Sequence, residues 1–435
     1  MLLHCDHNIF LPSLLNMQNK QPFYNILLLI LAGEAVFILP FVLVRIFRPT
    51  VLDLFELTNL ELGLCFSVYG VVAIIAYFFG GIVADRFSPG KLMGIALILT
   101  AAGGLVMATY PQLGTLRMLY GYWGFTTIFL FWAAMIKATR MWGGADRQGK
   151  AFGFLDGGRG LVAAGFGSLG LAVLGLFVIG DMEALPMADR KEAFQYLIWT
   201  FSGVVALIGL ITFFFLKESK ESKDIEVKKQ KMSLKDFPVL LRMRVVWLLM
   251  VIILTGYCGY KITDIFSLYA KDVMLYDEIK AAGIGTMLLY IRPILGIVIG
   301  FLADRSASSL WLAIGFGVMT LGALVLASGI IGPSLVLVFG LSIFATSLGV
   351  YAIRSLYFAI MEEGNIPLAL TGTAVGIASL IGYTPDVFMG PLIGVLLDNN
   401  PGELGHQYVF GFMAVMGLIG GITTLYFRKY YTKKV

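Results

Sequence analysis

The chain has 435 residues, of which 58% are hydrophobic and only 14% charged, and its mean hydropathy is +0.86. Soluble proteins carry about 25% charged residues, so this composition excludes a soluble globular protein and describes an integral membrane protein. The net charge of +5 does not point to nucleic acid, because the Lys and Arg residues gather in loops, where they set membrane orientation.

Residues 1–22 form an N-terminal tail. Its His4-Cys5-Asp6-His7 could be drawn as metal ligands, but no second cluster completes a shell, and no metal or cofactor is expected. No Lys or Arg precedes the short apolar stretch, so a signal peptide is not expected, and Met17 is an alternative start. Cys5, Cys65 and Cys258 lie far apart without a CxxC and define no disulfide framework.

At about 20 apolar residues per crossing, twelve spans are predicted. The first six are Tyr24 to Leu54, Leu62 to Ala84, Leu92 to Tyr110, Thr115 to Ala138, Ala151 to Ile179 and Phe194 to Leu216. The second six are Val245 to Ala270, Ala281 to Ala303, Leu310 to Ile331, Leu335 to Met361, Leu368 to Leu397 and Val409 to Phe427. Glycine is abundant, at 51 residues. Gly153/Gly157, Gly296/Gly300 and Gly372/Gly376 form small-xxx-small pairs that let helices approach closely.

Between the sixth and seventh spans runs a Lys-rich linker, residues 217–244, which the positive-inside rule places in the cytoplasm. The tail 428–435, with Arg428, Lys429, Lys433 and Lys434, falls on the same side, as an even number of spans requires. Two landmarks repeat at nearly one offset: Lys261 follows Arg45 by 216 residues, and Asp304-Arg305 follows Asp85-Arg86 by 219. The expectation is an all-α membrane protein of two pseudo-symmetric six-helix halves, 23–216 and 245–427, around a central pathway.

Gly81-Ile82-Val83-Ala84-Asp85-Arg86-Phe87-Ser88-Pro89-Gly90-Lys91 resembles the loop signature G-x-x-x-D-R-x-x-x-G-[KR] of the major facilitator superfamily at every defined position. That resemblance implies the major facilitator fold and makes Asp85, Arg86 and Lys91 a conformational latch between the second and third spans. Three further stretches resemble the superfamily's organophosphate:phosphate antiporter branch: Leu43-Val44-Arg45, Tyr260-Lys261, and Thr371-Gly372-Thr373-Ala374-Val375-Gly376 with Gly382-Tyr383. The branch has Arg where Lys261 stands, and its helix-four His has no counterpart here; Arg140 is the nearest ionisable residue.

Ionisable residues inside the spans favour cations, among them Arg45, Lys137, Arg159, Lys261, Arg292 and Arg354 against carboxylates that include Glu34, Asp156, Asp264 and Asp386. A charge within a bilayer faces a protein interior or wet cavity and has a partner. Arg45 and Lys261, one per half, would repel unless an anion lay between them; Arg offers a planar fork and Lys a point charge. The alternatives are that Arg45 snorkels near the far face and that Lys261 pairs structurally with Asp264, three residues on. Arg292 is the third candidate cation, whereas Arg354 and Lys137 lie toward span ends and could snorkel. Glu34, Asp264 and Asp386 are candidates for coupling or pairing, and no His lies in any predicted span. Tyr257, Tyr260 and Tyr290 could donate hydroxyls to an anion or simply pack.

Gly143 to Lys150 resembles a phosphate loop only superficially, with no Ser or Thr after Gly149-Lys150 and no strand before it. No nucleophile, triad or metal constellation supports an enzyme. The expected function is secondary transport of a small organic anion, organophosphate-like, sulfonate or carboxylate, by a monomer in the plasma (inner) membrane with both termini cytoplasmic. A proton-coupled facilitator for a neutral or cationic solute and a membrane sensor of an external phosphorylated metabolite stand as alternatives.

Overall fold

The computed structural model describes residues 22–143, 148–178, 182–216, 237–366 and 371–431. Among these residues the regular structure is helical throughout, with twelve segments long and apolar enough to cross a membrane. Buried side chains collect into two cores, one centred on residues before Leu216 and the other on residues after Leu240.

Several spans are interrupted where polar residues meet the interior. The first consists of Phe23–Phe37, a π-helical turn Ile38–Val42 that contains Pro40, then Leu43–Ile46 and Arg48–Leu54. The fourth has a π-helical stretch Phe125–Trp132 between Leu113–Gly124 and Ala133–Gly143. The seventh passes from Arg244–Ile262 through a 3-10 turn, Thr263–Ile265, into Phe266–Asp272. The eleventh breaks between Thr371–Gly382 and Pro385–Asp398. Such departures free backbone groups, which membrane proteins tolerate where the chain lines a cavity or is packed in protein. Because the first span continues to Leu54, Arg45 lies inside it and is buried, not at a membrane face.

The two halves close on each other at the end away from the linker. There the second span, Asn59–Arg86, runs against the eleventh so closely that a Cβ on Gly63 would stand 2.3 Å from the carbonyl oxygen of Gly390. A Cβ on Gly394 would meet the Leu60 backbone at the same distance, so only glycine fits these crossings. Asp398, at the end of the eleventh span, accepts from the backbone N–H groups of Asn59 (3.0 Å) and Leu60 (2.6 Å) and so caps the second span across the halves. Glu278, buried at the start of the eighth span, accepts from Thr50 (2.7 Å), Arg190 (3.1 Å) and Lys271 (3.0 Å) and joins both halves at this end.

The fifth span, Gln148–Phe177, packs antiparallel on the eighth, Glu278–Asp304. Gly160 meets Pro293, and Gly167, seven residues on, meets Thr286, seven residues back. Toward the linker end the two helices part: nothing lies within 4 Å of where a Cβ would stand on Gly153, Gly157 or Gly300. The molecule is thus shut at one end and splayed at the other.

The stretch expected to act as a latch ends the second span at Arg86 and starts the third, Pro89–Met107, three residues later. A Cβ on Gly90 would stand 2.3 Å from the Leu216 carbonyl oxygen, which explains the glycine there as a helix contact. Arg86 and Lys91 are exposed, and the side chain of Asp85 lies outside the described residues. So do those of Arg140 and most of Thr371 to Gly376, nearly all of Gly143 to Lys150, and residues 217–236 of the linker.

One expectation is corrected. The last span begins at Glu403, after a turn that ends at Gly402 with φ +77°, six residues earlier than the hydrophobic pattern sets it. It therefore contains His406, fully buried, with Nε2 3.0 Å from Asp272 Oδ2. A histidine does lie within a span, tied to the seventh one at the closed end.

Candidate functional site: a cationic cavity between the halves

Between the halves lies a cavity with an open mouth. The first span supplies Glu34, Phe41 and Arg45; the fourth and fifth supply Trp132 and Arg159; the seventh supplies Tyr257, Tyr260 and Lys261; the tenth and eleventh supply Arg354, Tyr383 and Asp386. The interruptions in the first, fourth, seventh and eleventh spans all fall beside these residues.

The charges are arranged as pairs. Arg45 Nε lies 2.5 Å from Asp264 Oδ1, joining the first span to the seventh. Lys261 Nζ lies 3.3 Å from Asp386 Oδ1 and 3.9 Å from Asp264 Oδ2, so Asp264 stands between the two cations that the repeat brings together. Tyr257 donates its hydroxyl to Asp386 at 2.9 Å. Arg159 donates to Glu34 at 2.9 Å. Arg292 donates to Asp156 at 2.7 Å, away from the cavity wall in the seam between the fifth and eighth spans.

Of the cations on the cavity wall, one is left over among the described residues. Among the described residues Arg354 has no carboxylate within salt-bridge distance, and its buried Nη1 has no hydrogen-bond partner. Its guanidinium rests on aromatic faces instead, 3.9 Å from the centre of the Tyr260 ring and 5.8 Å from that of Tyr257. Arg45 lies over the same Tyr260 ring at 4.8 Å, and Lys261 lies over Phe41 at 4.9 Å. Cation–π contact offsets part of the cost of holding these charges out of water, and more so in a desolvated site.

The structure thus brings Arg45, Lys261, Tyr257, Tyr260, Asp264, Asp386 and Glu34 to one place. It sets Tyr290 apart: 40% exposed, with its hydroxyl on Ser168 at 2.8 Å. Residues 290 and 292 are two apart on a helix and point in different directions, which separates Tyr290 from the Arg292 pair. Lys137 donates to the Ala84 carbonyl at 3.0 Å and is not part of the cavity wall. Arg354 and Arg159 are the cavity cations that sequence reasoning did not single out; their only signal was an ionisable residue in an apolar span.

A family model described as Major Facilitator Superfamily matches residues 26–387. The chain belongs to the major facilitator superfamily. It is accordingly a multi-pass membrane transporter of the secondary type. The inner membrane protein YqcE of Escherichia coli (strain K12) is 30% identical over 386 residues, 86% of this chain and 87% of its own. The inner membrane protein YihN of the same strain is 29% identical over 407 residues, 92% of this chain and 93% of its own. Solved structures share the major facilitator fold at low identity. A bacterial homolog of the human lysosomal transporter Spinster, inward-facing and occupied, matches at TM-score 0.69 and 14% identity over 94% of this chain and 97% of that one. A D-xylose–proton symporter matches at 0.70 and 16% over 94% and 98%.

Proposed function

We propose that this facilitator carries a small organic anion across the membrane by alternating access, with the paired and unpaired cations of the cavity as its binding site. The observation that carries this reading is Arg354, a cation held in the cavity with no carboxylate of its own among the described residues. A guanidinium presents a planar fork of donors suited to phosphate, sulfonate or carboxylate, and Arg45 and Lys261 lie along the same wall. Tyr257, Tyr260 and Tyr383 supply aromatic faces and hydroxyls for the rest of the solute. An organophosphate is the first candidate, because the helix-one, helix-seven and helix-eleven stretches resemble the organophosphate:phosphate antiporter branch.

The relatives' names place those proteins in an inner membrane, and we take the same location here, with the linker and both termini in the cytoplasm. The splayed end is then the cytoplasmic one. A monomer suffices, since both halves of the site lie in one chain. A proton-coupled facilitator is the second reading, favoured by Asp386, which Lys261 and Tyr257 share at the cavity wall. A cationic solute fits it poorly, since it would meet a cavity already in positive excess.

The test is thermal-shift screening of the purified protein against organophosphates, sulfonates, carboxylates and neutral sugars, since a ligand that binds the folded state stabilises it by mass action. The anion reading expects stabilisation by anions alone. Stabilisation by a neutral solute with no anion effect would replace it with the second reading.

A further inference from the structure

The charge inventory of the cavity fixes more than the sign of its ligand. Arg45 with Asp264, Lys261 with Asp386 and Arg159 with Glu34 are three neutral pairs. Arg292 with Asp156 is a fourth, within electrostatic reach of Arg354. Arg354 is the fifth cation, so among the described residues the site carries one positive charge in excess, whether or not the Arg292 pair is included. The tyrosines whose rings lie under Arg354, Tyr257 and Tyr260, are counted as neutral phenols. Other charged groups lie at the closed end: Glu278 with Arg190, Lys271, Asp53 and Glu183, Asp272 with His406, and Arg48, which donates to Asn59 beside Asp398 and does not line the cavity.

We propose that the cavity takes its substrate as a single negative charge: a sulfonate, a monocarboxylate, or a phosphate ester that still holds one proton. This deepens the organic-anion reading and rests on it. A monoanion on Arg354 leaves the occupied site neutral, whereas a dianion leaves a net negative charge among Asp264, Asp386 and Glu34 in a medium where unbalanced charge is costly. The second negative charge could be met only by pulling Arg45 or Lys261 from its carboxylate, and that would strand the carboxylate instead. Neutrality of the loaded site also limits the unbalanced charge enclosed when both ends shut around it during the change of access.

The experiment compares two esters of one shape and different charge, glycerol 3-phosphate and glycerol 3-sulfate, by calorimetric titration of the purified full chain at pH 6 and pH 8. A phosphate monoester loses its second proton near pH 6, so its monoanion falls from about half to about one part in a hundred and its apparent affinity should fall by roughly fifty-fold. The sulfate ester is a monoanion at both pH values and should change far less. Asp156→Asn removes one negative charge within electrostatic reach of Arg354, and in that variant the phosphate ester should bind at pH 8 several-fold more tightly than in the parent, through charge at a distance and not through a new contact.

Parallel pH profiles for the two esters, flat or falling together, would overturn the proposal, and so would an Asp156→Asn protein that folds but gains no affinity for the dianion. Absence of binding by both esters at both pH values would overturn the organic-anion reading, and this one with it.

Discussion

The guanidinium of Arg354 lies 3.9 Å from the centre of the Tyr260 ring, and Arg45 lies over that same ring at 4.8 Å. Two cations from opposite halves share one aromatic face system, but only Arg45 has a carboxylate, Asp264 at 2.5 Å. The cavity wall therefore carries one cation without a carboxylate among the described residues, and on the proposed reading an anion that joins Arg354 to Arg45 draws the halves together as it binds.

The Asp264 pairings predict an order of stabilities. Arg45→Ala leaves Asp264 with Lys261 at 3.9 Å as its remaining cation and should destabilise the folded protein by roughly 3 to 5 kcal/mol, the cost of breaking a buried pair. Lys261→Ala should cost less, because Asp264 keeps Arg45 and Asp386 keeps the Tyr257 hydroxyl. The double change Arg45→Ala/Asp264→Ala should recover much of the loss. Thermal melts of the four proteins decide it; an equal or larger loss for Lys261→Ala would contradict the pairing.

Asp398 bonds the second span's first N–H groups from the other half, so it stabilises the closed end as an interhelical cap. Asp398→Ala should weaken that closure by about 1 kcal/mol, typical of a lost cap, and shift the population toward opening at this end. Ser67, which donates to the Val387 carbonyl across the same seam, is a suitable reporter. Labelling of Ser67→Cys by a membrane-impermeant maleimide should speed up several-fold when Asp398→Ala is added. Unchanged labelling would show that the cap does not hold the seam.

The register of the fifth and eighth spans predicts a second seam. Carried from Gly160–Pro293 toward the linker, it sets Gly157 opposite Gly296 and Gly153 opposite Gly300, the small-residue pairs that are parted here. When the splayed end shuts, these faces should meet closely, as small residues allow. The pair Gly157→Cys/Gly296→Cys should form a disulfide under mild oxidation and arrest transport, with reversal by reductant. Two reactive cysteines that never cross-link under any ligand condition would rule the seam out.

Much of this was legible in the chain. Twelve apolar stretches, a basic linker and the repeated Asp-Arg landmarks specify two six-helix halves because hydrophobic length and charge placement are local properties. The pairing of Lys261 with Asp264 was readable as neighbours on one helix, and it is the weaker of Asp264's two contacts. The stronger, Arg45, is 219 residues away, and only the packing of the halves reveals it. Arg354 sits 18 residues into a helix that starts at Val336, deep enough to look like a snorkelling residue at the span's end. It lines the cavity because the halves are splayed at that end, a matter of relative tilt that no local pattern encodes. His406 was hidden for a simpler reason: a polar first turn precedes the apolar run of the last helix.

The latch stretch gives a prediction about rate. Arg86 and Lys91 are exposed near the mouth of the splayed end, remote from the cavity wall, so Asp85→Asn should slow transport at saturating substrate and leave binding within about threefold, well under the tenfold that 1.4 kcal/mol represents. Transport in proteoliposomes beside equilibrium titration separates the two. A collapse of binding with an unchanged saturated rate would remove the latch role.

The most direct measurement is anion binding by Arg354→Gln. Arg354 forms no ion pair among the described residues, so the substitution should leave the melting temperature of the empty protein unchanged or slightly raised, while the anion that stabilises the parent should bind more weakly by roughly 1.5 to 3 kcal/mol, the value of a charged hydrogen bond. Unaltered anion affinity in a stably folded Arg354→Gln protein would contradict the claim that this surplus cation is the anchor of the site.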